Sequence, residues 1–106
     1  MRDYDNMPKI NWADDKATLA KIKAQITHQE PLIIHLPADF NLKIDGASCG
    51  CSAESSILTG CQADKIFSVL AELNNMSSMN EIGQLAHDKG QVVDVNLTNF
   101  DLIVYD

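Results

Sequence analysis

Three stretches of the chain carry apolar residues at helical spacing, with every third or fourth position apolar and polar residues between them. This pattern predicts amphipathic helices over residues 12–28, 60–74 and 79–89. Asn11 or Asp14 is expected to cap the first helix, because a short polar side chain there accepts a hydrogen bond from an unpaired backbone N–H group. All three helices are therefore expected to pack one apolar face against a common core.

Four shorter stretches alternate apolar and polar residues, a pattern typical of half-buried strands. They predict two β-hairpins, one joining residues 32–36 to 40–44 and the other joining 92–97 to 100–105. In each hairpin one face is entirely apolar. The register expected for the second hairpin pairs Val93 with Val104, Val95 with Leu102, Asp94 with Ile103, and Asn96 with Asp101.

The predicted element order is helix, β-hairpin, two helices and β-hairpin. Two hairpins with one apolar face each most simply form a four-stranded, mainly antiparallel sheet with helices on one face, so the predicted fold class is α+β. A length of 106 residues and an apolar content of 45% suit one domain with one core. We assign residues 1–10 to a flexible N-terminal lead-in and 11–106 to a single α+β domain with a Cys/Ser/Gly-rich loop at 45–60.

The formal net charge of −7 arises entirely after residue 30. Residues 31–106 hold three bases and ten acids, whereas the bases and acids of residues 1–30 balance. An acidic surface without a cluster of Lys or Arg repels phosphate backbones, which argues against direct binding of nucleic acid. The same field attracts a basic protein and speeds its association.

The sequence predicts a cytoplasmic location without membrane contact. No apolar run is long enough to cross a membrane, and the acidic start of the chain lacks the charge pattern of a signal peptide. Three cysteines are also too few for the disulfide framework of a small secreted protein.

The polar face of the second hairpin carries a candidate recognition surface. Asp94, Asp101 and Tyr105 lie there beside aliphatic residues, a mixture typical of protein interfaces. The sequence contains no nucleophile elbow, zinc-protease pair or phosphate-binding loop, which argues against an enzyme. The leading hypothesis is a small acidic domain that binds a basic protein stoichiometrically, as an inhibitor, antitoxin or immunity protein does, with these three residues in contact with it.

Two alternatives to this hypothesis stay open. In one, the chain is a homo-oligomeric assembly subunit, at least a homodimer, whose second sheet face is covered by another copy. In the other, the chain is a thiol-redox or metal-binding module. The leading hypothesis requires no cofactor.

The metal-binding alternative depends on Cys49, Cys51 and Cys61. Their thiolates could share one metal ion, and His35 would complete a tetrahedral zinc site of three cysteines and one histidine. The spacing of two cysteines one residue apart differs from that of the common zinc knuckles, so this pattern is a weak signal.

The thiol-redox alternative depends on the start of the second predicted helix. Thr59 and Gln62 match a capping box, which places Cys61 at the second helical position. The helix dipole favours a thiolate there, and Cys49 or Cys51 would then be a resolving partner in a reversible disulfide. The competing interpretation is that Cys61 is a small buried residue without chemistry.

Overall fold

A computed structural model describes residues 7–44, 52–54 and 57–106. Within these ranges it contains three helices and six strands. The helices are α1 (Lys16–Thr27), α2 (Ala63–Asn74) and α3 (Ser78–Asp88). The strands are β1 (Lys9–Asn11), β2 (Leu32–His35), β3 (Ser52–Glu54), β4 (Ile57–Gln62), β5 (Val92–Asn96) and β6 (Asp101–Tyr105).

The strands form one mixed sheet in the order β1-β2-β6-β5-β4-β3. β1 and β2 are parallel, and the other neighbouring strands are antiparallel. The α+β class is confirmed, but the expected four-stranded sheet is wrong in its strand number. Helical side chains such as Ile22, Phe67 and Ile82 share one buried cluster with Val93 and Leu102 of the sheet, and each of these five is fully buried. The core therefore lies on one face of the sheet, which we call the core face; the other is the outer face.

The second predicted hairpin is confirmed, including its register. β5 and β6 pair Val93 with Val104 and Val95 with Leu102. Four residues separate the two strands, and Asn96 Oδ1 accepts hydrogen bonds of 3.0 Å from two backbone N–H groups of this loop. Phe100, the last residue of the loop, has a left-handed backbone with φ of 59°.

The first predicted hairpin is wrong, because both edges of β2 are already occupied. β1 pairs along one edge and β6 along the other. Residues 40–44 form no strand, although Phe40 is buried in the core. They are attached instead to α2: Asn41 N–H donates to Asn74 Oδ1 at 2.7 Å, and Asn74 Nδ2 donates to Asn41 O at 3.0 Å.

The predicted loop at 45–60 and the predicted start of the second helix also need correction. Ser52–Glu54 forms β3, and β4 begins at Ile57, because Ile57 and Leu58 pair with Asn96 and Val95 of β5. The helix starts at Ala63 after Gln62, whose side chain makes no capping hydrogen bond. Residues 45–51 and 55–56 of the predicted loop lie outside the described residues.

The beginning of the chain joins the sheet earlier than predicted. Lys9 and Ile10, which the sequence assigns to the lead-in, lie in β1. The residues directly before and after this strand also form hydrogen bonds with β2. Ile33 N–H donates to Pro8 O at 2.9 Å, and Trp12 N–H donates to His35 O at 2.7 Å. Because Trp12 still follows the sheet, α1 starts at Lys16 rather than at residue 12.

Asp15, and neither Asn11 nor Asp14, caps α1. Its side chain accepts a hydrogen bond of 2.7 Å from Thr18 N–H. This hydrogen bond lowers the pKa of Asp15 below its ordinary value of 3.8. Asp14 instead accepts a hydrogen bond of 2.7 Å from Ser78 Oγ, which joins the start of α1 to that of α3.

We expect Asp15→Ala to lower the melting temperature near neutral pH, because it removes the acceptor for Thr18 N–H. A carboxyl group whose pKa is lowered by folding stabilises the folded state above its unfolded pKa, and this contribution is lost as the pH falls through the folded value. The difference in melting temperature between the wild type and Asp15→Ala should therefore shrink below about pH 3.8. Thermal unfolding between neutral and acidic pH measures it, and a constant difference would contradict this role of the carboxylate.

Candidate functional site

The three residues predicted to contact a partner lie on the outer face, but they are engaged within the chain. Asp94 is buried, with an exposed fraction of 1%. It accepts a hydrogen bond of 2.7 Å from the Tyr105 hydroxyl and one of 2.9 Å from Gly60 N–H. Asp94 therefore joins β4, β5 and β6 rather than standing on an open surface.

The contact with Gly60 has a local structural cause. The register between β4 and β5 shifts between Leu58 and Cys61, and Gly60 within this irregularity has φ of 66°. Glycine adopts this left-handed backbone without the steric cost of a Cβ atom. In this irregular part of the strand, Gly60 N–H donates its hydrogen bond to the Asp94 carboxylate.

Asp101, the second predicted contact residue, is paired with two basic side chains. Its Oδ1 atom lies 2.7 Å from His35 Nδ1, and its Oδ2 atom lies 3.9 Å from Lys9 Nζ. Because an ionised carboxylate only accepts hydrogen bonds, His35 Nδ1 is the donor. The side chain of Asp101 is 12% exposed, whereas that of His35 is 41% exposed.

A different acidic surface lies between α2 and α3. There the two helices leave a cavity of about 700 Å³, which we call the acidic groove. Its lining contains three carboxylates, those of Asp64, Glu81 and Asp88, together with the apolar side chain of Leu85. The other described residues of the lining are Ser68, Asn80 and Gln84, so none of the described lining residues is a base.

The sequence positions these carboxylates through helical spacing. Glu81 and Asp88 are seven residues apart on α3, and Leu85 lies between them on the same side. Asp64 lies in the first turn of α2, where the helix dipole favours a negative charge. The pattern of the sequence was sufficient to place each acid on its helix, but not to show that the two helices bring them together.

Basic side chains reach the groove from outside its lining. Lys23 Nζ of α1 lies 3.7 Å from Glu81 Oε2, in a pair whose side chains are 42% and 64% exposed. His87 Nδ1 lies 3.5 Å from Asp64 Oδ1, an ion pair only when His87 is protonated. Asp64 Oδ1 is itself buried and accepts no hydrogen bond from the described residues. Because this oxygen is buried, Glu81 and Asp88 are the acids of the groove that are exposed to solvent.

The structure does not bring together the predicted zinc or redox residues that it describes. Cys61 is not at the second position of α2 but in β4, where it is fully buried in the core and pairs with Val93. The helix-dipole argument for a reactive thiol is therefore wrong. Cys61 is disulfide-bonded. Cys49 and Cys51 lie outside the described residues.

His35 and Cys61 cannot share a metal ion in this fold. Cys61 lies in the core, whereas His35 contacts Asp101 on the outer face. Their strands are three positions apart in the sheet, which corresponds to about 14 Å. Among the residues described, no group of three or more His, Cys, Asp or Glu side chains is arranged to hold a metal.

The described part of the chain contains no helix of the length and apolar character that crossing a membrane requires. Comparisons with known protein families, with curated proteins and with solved structures find no match to this chain.

Proposed function

We propose that the chain is a small acidic protein-binding domain that acts stoichiometrically on a basic partner, as inhibitors, antitoxins and immunity proteins do. The observation that carries this proposal is the acidic groove between α2 and α3, whose described lining residues include three carboxylates and no base. Its location differs from the sequence prediction: the docking residues proposed are Asp64, Glu81 and Asp88, because Asp94 and Asp101 are buried whereas Glu81 and Asp88 are exposed.

The chemistry of the groove suits an arginine or lysine side chain of the partner. A cationic head group would pair with the exposed carboxylates of Glu81 and Asp88. The aliphatic part of the same side chain would lie against Leu85. The long-range field of a chain with a net charge of −7 would steer the partner toward the groove.

Exposed apolar surface offers less support for the homo-oligomer alternative. Within the described residues, Ile57 and Leu73 are the large apolar side chains that are exposed, each by 37%. On the outer face Ile33 and Ile103 are already buried in the monomer. A dimer formed over this face would gain little apolar burial from them.

Removal of the groove charges should weaken partner binding more than removal of the same number of charges elsewhere on the surface. We expect Asp64→Asn, Glu81→Gln and Asp88→Asn together to weaken binding by at least about tenfold. The matched control combines Glu30→Gln, Asp39→Asn and Asp106→Asn, three exposed acids outside the groove lining. Both variants carry the same net charge, so a nonspecific electrostatic effect would change them equally.

The measurement is affinity capture from a lysate of the source cells, followed by quantitative mass spectrometry of the proteins retained by the wild type and the two variants. A basic protein retained by the wild type and the control, but not by the groove variant, would support the proposal. Equal retention by all three proteins, or depletion by the control variant as well, would contradict docking at the groove.

A thiol-redox module is a second candidate function, favoured by the disulfide bond of Cys61. The chain has three cysteines, so a disulfide within it leaves one sulfur for exchange. The buried position of Cys61 argues for slow exchange, because an attacking thiolate needs access to the sulfur atom. Zinc binding would require the cysteines to be reduced, because zinc is bound by thiolates and not by a disulfide.

Cytoplasmic location is also part of the proposal, and the state of Cys61 tests it. The cysteines of cytosolic proteins are kept reduced, whereas a disulfide persists in an oxidising compartment. Alkylation of thiols in intact source cells, followed by mass spectrometry, should find Cys61 reduced if the protein is cytoplasmic. A fully oxidised Cys61 would contradict that location, and rapid exchange with a glutathione buffer would favour the redox candidate over a structural cross-link.

A further inference from the structure

The outer face of the sheet holds a second cavity, of about 440 Å³, which is separate from the acidic groove. Its apolar lining is made by Met7, Ile33 and Ile103. Its polar lining is made by Lys9, Asn96, Asn99 and Asp101. We call it the outer-face cavity.

The register of the sheet explains why these side chains meet. Lys9 pairs with Ile33, and Ile33 pairs with Ile103 on the next strand, which forms one row across β1, β2 and β6. Asp101 lies two residues before Ile103 in β6, so the side chains of both residues lie on the same face of the sheet. Asn96 of β5 pairs with Asp101 and belongs to this adjacent row. The apolar floor and the polar side chains are therefore fixed by regular strands rather than by loops alone.

The accepting groups of this cavity are largely used within the protein. Asp101 is held by His35 at 2.7 Å and faces Lys9 at 3.9 Å. Asn96 Oδ1 accepts from two backbone N–H groups of the β5–β6 loop, those of Thr98 and Asn99.

The donating groups, by contrast, retain unused capacity. Among the described residues, Lys9 Nζ makes only the long contact with Asp101, and its side chain is 52% exposed. The Asn96 Nδ2 group and the Asn99 side chain make no hydrogen bond within the described residues. An excess of donors over acceptors favours a ligand with accepting oxygens.

We propose that the outer-face cavity binds a small organic carboxylate with a short alkyl chain. The carboxylate would accept from Lys9 Nζ and from the amides of Asn96 and Asn99, while the alkyl chain would lie on Ile33 and Ile103. A single negative charge suits a site with one lysine, because Asp101 would repel a dianion such as phosphate. This site does not depend on the proposed binding of a basic protein at the acidic groove.

Sodium butyrate is a suitable probe, and nuclear magnetic resonance of the full chain detects weak binding residue by residue. We expect saturable shifts of the Ile33 and Ile103 signals with a Kd of about 1 mM, as suits a ligand with few atoms. Lys9→Met retains the apolar stem of the side chain and should raise the Kd at least tenfold. Lys43→Met, at another exposed lysine, is the matched control and should leave the Kd unchanged.

Asn99→Asp gives an independent test at an exposed loop residue, because a new negative charge at the cavity should also weaken butyrate binding. Butyramide, the neutral analogue, should bind more weakly than butyrate to the wild type. The proposal is overturned if butyrate causes no saturable shift at about fifty times the expected Kd. It is equally overturned if Lys9→Met binds butyrate as tightly as the wild type, or if butyramide binds as tightly as butyrate.

Discussion

Asp94→Ala is expected to lower the free energy of unfolding by about 3 kcal/mol, because both the Gly60 N–H group and the Tyr105 hydroxyl lose an acceptor. Asp94 is 1% exposed, so water replaces these hydrogen bonds poorly. The effect should appear as a fall in melting temperature of about 15 °C for a domain of this size. Chemical and thermal denaturation followed by circular dichroism measure both quantities.

Two further variants separate the hydrogen bonds of Asp94 from the loss of its volume. Tyr105→Phe removes one donor and should cost about 1 kcal/mol. Asp94→Asn retains an accepting oxygen in the same place and should cost less than Asp94→Ala. An Asp94→Ala protein as stable as the wild type would show that these two hydrogen bonds contribute nothing to the stability of the fold.

Gly83→Ala is expected to destabilise the protein by about 2 kcal/mol through steric overlap between α2 and α3. A Cβ atom at this position would meet the Phe67 Cβ atom and lie 3.0 Å from the Ala63 carbonyl oxygen. Neither neighbour is the flexible end of a side chain, so relief requires the helices to move apart. The expected change in stability has the opposite sign to that at an ordinary helical glycine, where replacement by alanine stabilises the protein by about 1 kcal/mol.

Lys65→Ala is the matched control for Gly83→Ala, because Lys65 is an exposed residue of α2. The stability of both variants is measured from the same unfolding transition. It should change stability by no more than about 0.5 kcal/mol. The measurement is urea denaturation, with the slope of the transition compared as well as its midpoint. A stabilised Gly83→Ala protein would show that α2 and α3 do not approach each other as closely as the structure indicates.

The spacing of apolar residues was sufficient to predict strands that pair with the strand next to them in the sequence. The hairpin of β5 and β6 needed only the alternation of apolar residues and a short loop, and its register is correct. The pairing of β2 was not predictable in this way. Residues 40–44 alternate as a strand would, but β1 and β6 occupy the edges of β2, and Phe40 packs in the core without a strand.

The candidate site was harder to predict, because it depends on contacts between distant parts of the chain. The sequence places Asp94 and Asp101 on the correct face of the sheet, yet their partners Gly60, His35 and Lys9 become visible only with the strand order. The acidic groove likewise depends on how α2 and α3 pack. Gly83 lies among the apolar residues of α3 and is a signal of this close packing that sequence analysis could have used.

Native mass spectrometry of the protein purified from its source tests most directly whether the chain pairs stoichiometrically with a basic protein. The purification should be anaerobic and free of chelators, so that a metal or a reduced cysteine is retained. We predict one species whose mass is that of this chain plus one copy of a basic protein. A bare monomer, or a species whose mass is a multiple of the chain alone, would contradict the claim.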